Sequence, residues 1–424
     1  MCSPQVAFYG DDFTGSVDVL LQFARRGWRG RLFVGVPDAA LLDAAARECD
    51  VVGIAGIARS LPTGDLDREV RPAFEALLRL GPHVVQYKAC STADSSPAIG
   101  SLGRVIEIGR DVVGEGTVPL LFAQPDFGRY TLFGHHFARE GSVVHRLDRQ
   151  PTMSTHPSTP MTESDLARHL SQQTALPIGG IPFTSYRTPS ALRDDLRASD
   201  AAAVVLDAAD DAHLILIGEA VLGLPAPVFA LGSGGLSHGL AAARPGPGGG
   251  VPSSTPSRGP VLAVSGSRSA TTRRQMDVAA DAGWLTGPLP ADPASLPDTL
   301  GRVVDALAAG RSVALGSDGA DLSHAGADAL PAIARAAAVV IDEAVRARAT
   351  RRVIVCGGDT SSRVVTLLGV SSLSLAANPT ANVVLLTAQS ADPAIDGLEM
   401  LLKGGQVGDD DLFVATRALG GGPA

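Results

Sequence analysis

Short apolar runs that end in a turn and pass into a helical pattern recur along this chain, and that recurrence narrows the fold more than any other feature. Val6-Ala7-Phe8-Tyr9 leads through Gly10-Asp11-Asp12-Phe13-Thr14-Gly15 into Val17, Leu20, Leu21 and Ala24 at helical spacing, closed by Gly27. Val353-Ile354-Val355-Cys356 leads through Gly357-Gly358-Asp359-Thr360-Ser361-Ser362 into Val364, Val365 and Leu368. Further strands are expected at 32–34, 51–54, 83–86, 118–122, 203–206, 228–231, 261–264, 312–315 and 383–386. Alternation of this kind builds parallel sheets covered by helices. The expected fold class is α/β, as two layered α/β domains with largely parallel sheets.

Two domains are expected because 424 residues exceed one typical domain. The boundary falls in the Pro, Gly and Ser-rich stretch that starts at Pro245, which reads as a flexible linker. The domains are therefore 1–244 and 260–424, with 245–259 between them. The segment from Pro125 to Pro160 reads as less regular. After it, Thr162 with Asp165 reads as a capping box that starts a helix running to about Gln173.

Net charge of −9 argues against non-specific nucleic-acid binding. No apolar run approaches membrane-spanning length. Cys2, Cys49, Cys90 and Cys356 have neither metal-type spacing nor the look of a disulfide framework. The N-terminus enters a strand pattern directly, without a signal peptide, so a cytoplasmic protein is expected. His135, His136, His145 and His156 cluster in one segment, but the adjacent pair would point apart on a strand or helix, and no metal ligands are assigned.

The candidate chemistry lies at strand ends, where open α/β sheets bind ligands. Asp11 and Asp12 follow the first strand, as a base or anchor for a substrate hydroxyl or as turn and cap residues. Arg59-Ser60 follows the third, where an arginine can grip a carboxylate or simply face solvent. Lys88, Ser91 and Thr92 sit in a polar loop after the fourth, suited to a polyhydroxylated acid or to a solvated connection. In the second half, Ser265-Gly266-Ser267, Gly357-Gly358 and Lys403-Gly404-Gly405-Gln406-Val407-Gly408 are three glycine loops. Glycine admits close approach of a ligand to the backbone, and a helix N-terminus seats phosphate. Three together suggest a nucleotide site, although neither a Walker A motif nor a Rossmann fingerprint is present. On that reading a β-branched residue at Gly358 should weaken nucleotide binding first.

In order along the chain, these motifs resemble the four-carbon acid sugar kinase family. Gly10-Asp11-Asp12-Phe13-Thr14-Gly15-Ser16 is similar to that family's A-D-D-F-T-G-A. Arg59-Ser60 resembles its R-S pair, Lys88-Ala89-Cys90-Ser91-Thr92-Ala93-Asp94-Ser95 its K-x-C-S-T-F-D-S, and Gly100-Ser101-Leu102-Gly103 its G-N-I-G. His156-Pro157-Ser158-Thr159-Pro160-Met161-Thr162 resembles H-P-x-T-P-M-T, Ser265-Gly266-Ser267 an S-G-S, Gly357-Gly358-Asp359-Thr360-Ser361 a G-G-E-T-S, and Lys403 to Gly408 a K-S-G-N-F-G. The resemblance implies an ATP-dependent kinase that phosphorylates a hydroxyl of threonate, erythronate or 3-oxo-tetronate. It implies Asp12 or Asp11 as the catalytic residue that orients or deprotonates the acceptor hydroxyl. It implies Arg59, Ser60, Lys88, Ser91, Thr92 and His156 around the sugar acid. It implies Ser265, Ser267, Gly357, Gly358, Asp359, Thr360, Gly404 and Gly405 around ATP, with Mg2+ beside the phosphates and domain closure excluding water. The expected partners are a small-molecule sugar acid, no nucleic acid and no membrane, with a homodimer as the assembly left open. Departures concentrate in the ATP half: Asp359 stands for Glu, and Gly405-Gln406 for part of S-G-N. They leave a second reading, a sugar-acid-binding homologue with weak or lost ATP turnover.

Overall fold

The computed structural model describes residues 4–255, 258–290, 295–317, 329–380 and 383–419. Residues 256 and 257 of the expected linker, and Cys2, lie outside these. The chain divides into two compact units, Met1–Gly250 and Val251–Ala424.

The first unit is built on eight strands: β1 (Val6–Gly10), β2 (Gly30–Val34), β3 (Val51–Ala55), β4 (Val84–Lys88), β5 (Val118–Leu121), and, further on, β9 (Ile178–Ile181), β10 (Ala203–Leu206) and β11 (Val228–Gly232). They pair in the order β2-β3-β1-β4-β11-β5-β10-β9, every neighbour parallel. Central strands such as β1 and β4 are buried along their whole length, which matches near-continuous apolar runs covered on both faces. Tyr9 and Tyr87 stack at 5.6 Å between β1 and β4, with Phe74 edge-on to both.

The segment that reads as irregular holds a separate antiparallel sheet, β6 (Arg129–Leu132), β7 (His135–Glu140) and β8 (Val143–Arg146). Its strands are short and rich in Arg and His, so no apolar alternation marks them. The helix after it is also shorter than a capping box at Thr162 implies: it spans Leu166–Ser171, and Asp165 itself is the N-cap, accepting from the Arg168 amide at 3.1 Å. The Glu163 side chain accepts from the Asp165 amide instead.

The second unit has β12 (Leu262–Ser265), β13 (Leu285–Pro288), β14 (Val313–Gly316), β15 (Arg352–Cys356), β16 (Val370–Thr380), β17 (Val383–Ser390) and β18 (Glu399–Lys403). β13-β14-β12-β15-β18 run parallel, and β17 and β16 continue antiparallel. Both sheets are largely parallel and helix-covered, the expected α/β class. In the stretch that reads as a linker, the Gly246 and Gly248 amides donate to Arg26 and Gly27 carbonyls of the first unit. Pro252 accepts from Asn378, and the Thr255 amide donates to Leu419, both in the second. Backbone bonds thus order parts of a stretch whose side chains bury little.

Candidate active site

In each unit the chain changes direction of growth beside its first strand. From β1 the first unit builds outward through β3 and β2, then resumes on the other side with β4. From β12 the second unit builds through β14 and β13, then resumes on the other side with β15. The loops after the two flanking strands diverge at such a point and leave a crevice beyond the carboxyl ends. The candidate residues sit at these two crevices.

In the first unit, Gly10 pairs in register with Lys88 and with Ala55, so the loops carrying Asp11, Arg59 and Lys88 start at one level. Arg59 holds both aspartates. Its Nη2 donates to Asp11 Oδ1 at 2.7 Å and its Nε to Oδ2 at 3.2 Å, while Nη1 lies 2.7 Å from Asp12 Oδ2. The Asp11 carbonyl accepts from the Arg59 amide, which fixes the turn as well as the side chain. Asp12 Oδ1 accepts from the Gly15 amide at 2.6 Å and caps the helix Phe13–Ala24. The cap and the charged contact thus use different oxygens of one carboxylate. Asp11 is buried, and burial raises its carboxyl above the ordinary range, with Arg59 opposing the rise. Burial would lower Arg59, but Asp11 and its other acidic neighbours outweigh it, and the guanidinium stays charged.

Lys88 is 3 % exposed, and its Nζ donates to the Ala89 carbonyl at 2.8 Å. A Cβ placed on Gly15 would meet Asp12 Oδ1 at 2.5 Å and Lys88 Nζ at 3.0 Å, so the ammonium and the carboxylate face the same bare glycine. The loop behind Lys88 is held by two buried histidines. The His136 ring pairs with Thr131 Oγ1 at 2.9 Å through Nδ1 and with the Ser91 carbonyl at 2.8 Å through Nε2. A carbonyl only accepts, so Nε2 carries the proton and Nδ1 accepts from the threonine. Burial pushes this imidazole down to about 4, which keeps it neutral. On the other side His169 Nε2 lies 2.9 Å from Ser95 Oγ, and Gln173 joins both. Neither histidine carries a sequence motif, and only the pairing of β6 with β7 brings Thr131 beside His136.

Other expected residues lie apart from this cluster. Thr92 Oγ1 donates to Asp94 at 2.6 Å. Ser60 is exposed and bonds the Ile57 carbonyl in its own turn. The His156 ring bonds only Thr159 among the described residues. Neither Ser60 nor His156 bonds Asp11, Asp12 or Arg59.

In the second unit, Ser265, Cys356 and Lys403 are register partners on three adjacent parallel strands. The three glycine loops therefore leave the sheet side by side. They fit because of their glycines. A Cβ on Gly266 would come within 2.1 Å of Thr360 Oγ1, and one on Gly405 within 2.2 Å of Ser267 Oγ. Gly357 has φ +110°, where a side chain is strained. A Cβ on Gly358, by contrast, would meet nothing within 4 Å, so only a ligand could object to one there. Asp359 is exposed on the first turn of the helix Gly358–Leu367. Gly404 has room for a side chain, with Val407 as its neighbour.

Lys403 does not belong to a loop, as its glycine-rich surroundings suggest; it ends β18 and is buried. Its Nζ donates to Thr272 Oγ1 at 3.0 Å, and Thr272 Oγ1 donates to the Gly405 carbonyl at 2.7 Å. Ser269, the N-cap of the helix Ala270–Asp281, also donates to Gly405. Burial lowers the Lys403 ammonium and raises the neighbouring Cys356 thiol to about 11. Thr272 and Ser269 carry no signal in the sequence beyond a helix start.

Two doubly wound units, one crevice lined by paired charges and the other by glycines and hydroxyls, are the make-up of an enzyme with two dissimilar small ligands. Residues 6–240 match the family profile described as a sugar-binding N-terminal domain, and 262–413 that of a nucleotide-binding C-terminal domain. The chain is 37% identical to a 3-oxo-isoapionate kinase of Paraburkholderia graminis, over 97% of this chain and 94% of the relative. It is 30% identical to a 3-oxo-tetronate kinase of Pseudomonas fluorescens, over 98% and 97%. A Salmonella typhimurium LT2 structure described as a putative tRNA synthase shares the fold, with TM-score 0.80 at 24% identity over 97% and 98% of the two chains. The chain belongs to the four-carbon acid sugar kinase family, and it is a phosphotransferase. No helix among the described residues is long and apolar enough to cross a membrane.

Proposed function

We propose that the chain transfers the γ-phosphoryl group of ATP to a hydroxyl of a small sugar acid, of the 3-oxo-tetronate, 3-oxo-isoapionate or threonate type. The acid binds at the β1/β4 crevice and ATP at the β12/β15 crevice. The observation that carries this reading is the alignment of residues 265–267, 357–360 and 404–405 at the ends of three adjacent parallel strands. It sits in one unit, while the other holds Arg59 between two carboxylates.

The substrate carboxylate is held by Lys88 and by the Arg59 N–H groups given to neither Asp11 nor Asp12. Asp11 holds the guanidinium flat and in place. Ser91 and Thr92 contact hydroxyls. Asp12 Oδ2 takes the proton of the attacking hydroxyl as its oxygen bonds the γ-phosphorus and the bond to ADP breaks. Backbone amides of the glycine turns, with Ser265, Ser267 and Thr360, hold the phosphates. Asp359, exposed on the first helical turn, fits Mg2+ that arrives with the nucleotide, since such ions take one or two carboxylates plus phosphate oxygens. Mg2+ would neutralise phosphate charge. The protein works in the cytoplasm, where ATP is available.

The test is ADP release by the purified protein with Mg·ATP against D- and L-threonate, D- and L-erythronate, 3-oxo-tetronates and 3-oxo-isoapionate. Release with one acid names the substrate. Folded protein that binds an acid yet releases no ADP with any of them would defeat the kinase reading.

A further inference from the structure

Beside the glycine turns of the second unit lies a groove of about 340 Å³ between the helices Ala329–Arg346 and Gly358–Leu367. Arg335 and Arg363 line it, with Ser362 and Thr366. Neither guanidinium has a hydrogen-bond or ion-pair partner among the described residues. Pro331 and Leu367 give it apolar wall, and Leu367 is 52 % exposed. The groove adjoins the glycine loops: a side chain on Gly266 would approach Thr360 and also Ile333, which lies one turn into the first of these helices, at 3.2 Å. Ser362 and Thr366 lie about 6 and 12 Å along the helix axis from its first residue, Gly358.

We propose that this groove takes the nucleoside end of the nucleotide, with its base between the Arg335 and Arg363 guanidiniums and its sugar against Ser362 and Thr366. The inference rests on the nucleotide reading of this unit and adds the place of the base. Its chemistry differs from that of a phosphate seat. A phosphate would use the two cations alone and gain nothing from Pro331 and Leu367. A planar base uses both, because guanidinium faces stack on aromatic rings and apolar walls bury the ring. Phosphates on the first turn and a base one to two turns away match an extended nucleotide.

The experiment is calorimetric binding of ADP and, separately, of inorganic tripolyphosphate to the full chain and to Arg335→Ala, Arg363→Ala and Thr366→Trp. All three positions are exposed, and melting temperatures confirm that the variants fold. ADP should bind about tenfold more weakly to each arginine variant and more weakly still to Thr366→Trp, with tripolyphosphate unchanged in all three. Unchanged ADP binding in all three variants overturns the proposal. So does equal weakening of ADP and tripolyphosphate, which would make the groove a phosphate seat. A wild-type chain that binds neither ligand defeats the nucleotide reading itself, a result distinct from any difference among the variants.

Discussion

The two crevices occupy the same topological position in sheets of the same kind, and they are furnished in opposite ways. At the β1/β4 crevice the candidate groups are charged side chains, locked against each other by Arg59 at the ends of strands that carry the stacked Tyr9 and Tyr87. At the β12/β15 crevice they are backbone turns and hydroxyls, and the buried cation, Lys403, is spent on Thr272 and Gly405. A site made of charges fails when a charge is removed and tolerates small changes of volume. A site made of glycines fails when volume is added.

That contrast is sharpest in two substitutions. Asp12→Asn keeps a good helix cap and removes the proposed acceptor of the hydroxyl proton. Turnover should fall by roughly 10²–10⁴-fold with ADP affinity intact. Unchanged turnover, measured by ADP release, would remove Asp12 from the chemistry. Gly266→Val is its counterpart, driving a side chain into Thr360. ADP binding should weaken at least tenfold with acid binding unchanged, by calorimetry. Gly358→Val should do less unless the ligand itself touches that carbon, and a larger loss at Gly358 than at Gly266 would put the phosphates directly against it.

Lys88→Met should raise the KM for the acid about tenfold and leave the KM for ATP alone. A matching rise for ATP would break the division of labour between the units. The smallest effect is on stability. His136 is neutral in the folded chain down to about pH 4, against an ordinary value of 6.5. Between those values the unfolded chain binds the extra proton, so stability falls as pH drops through that window, by an order of 3 kcal/mol in all. Thermal unfolding from pH 7 to 4 should show the loss, and His136→Gln should flatten it. An equally steep profile in the variant would assign the loss to other groups.

The sequence is most legible where a single local rule decides the outcome. β1 and β15 announce themselves as apolar runs before a glycine turn, and their loops carry Asp11, Asp12 and Gly357 to Thr360. Lys403 is easily misplaced because the run before it is short and the strand is recognisable only by its pairing with β15 and β17. β6 to β8 escape notice because arginines and histidines replace the apolar alternation, and with them goes the support His136 gives to Ser91. The choice between cap and chemistry at Asp12 is undecidable from sequence because the side chain has two oxygens, and only one of them is taken by the cap while the other faces Arg59.

Thr272 meets Lys403 and Gly405 across sequence separations of 131 and 133 residues. Until β18 slots in beside β15, the first two glycine loops lack the third, so the β12/β15 crevice is complete only when this long-range pairing has formed. Long-range closures of this kind are slow relative to local ones. A chain stalled during synthesis before residue 399 would carry Ser267 and Thr360 without Gly405.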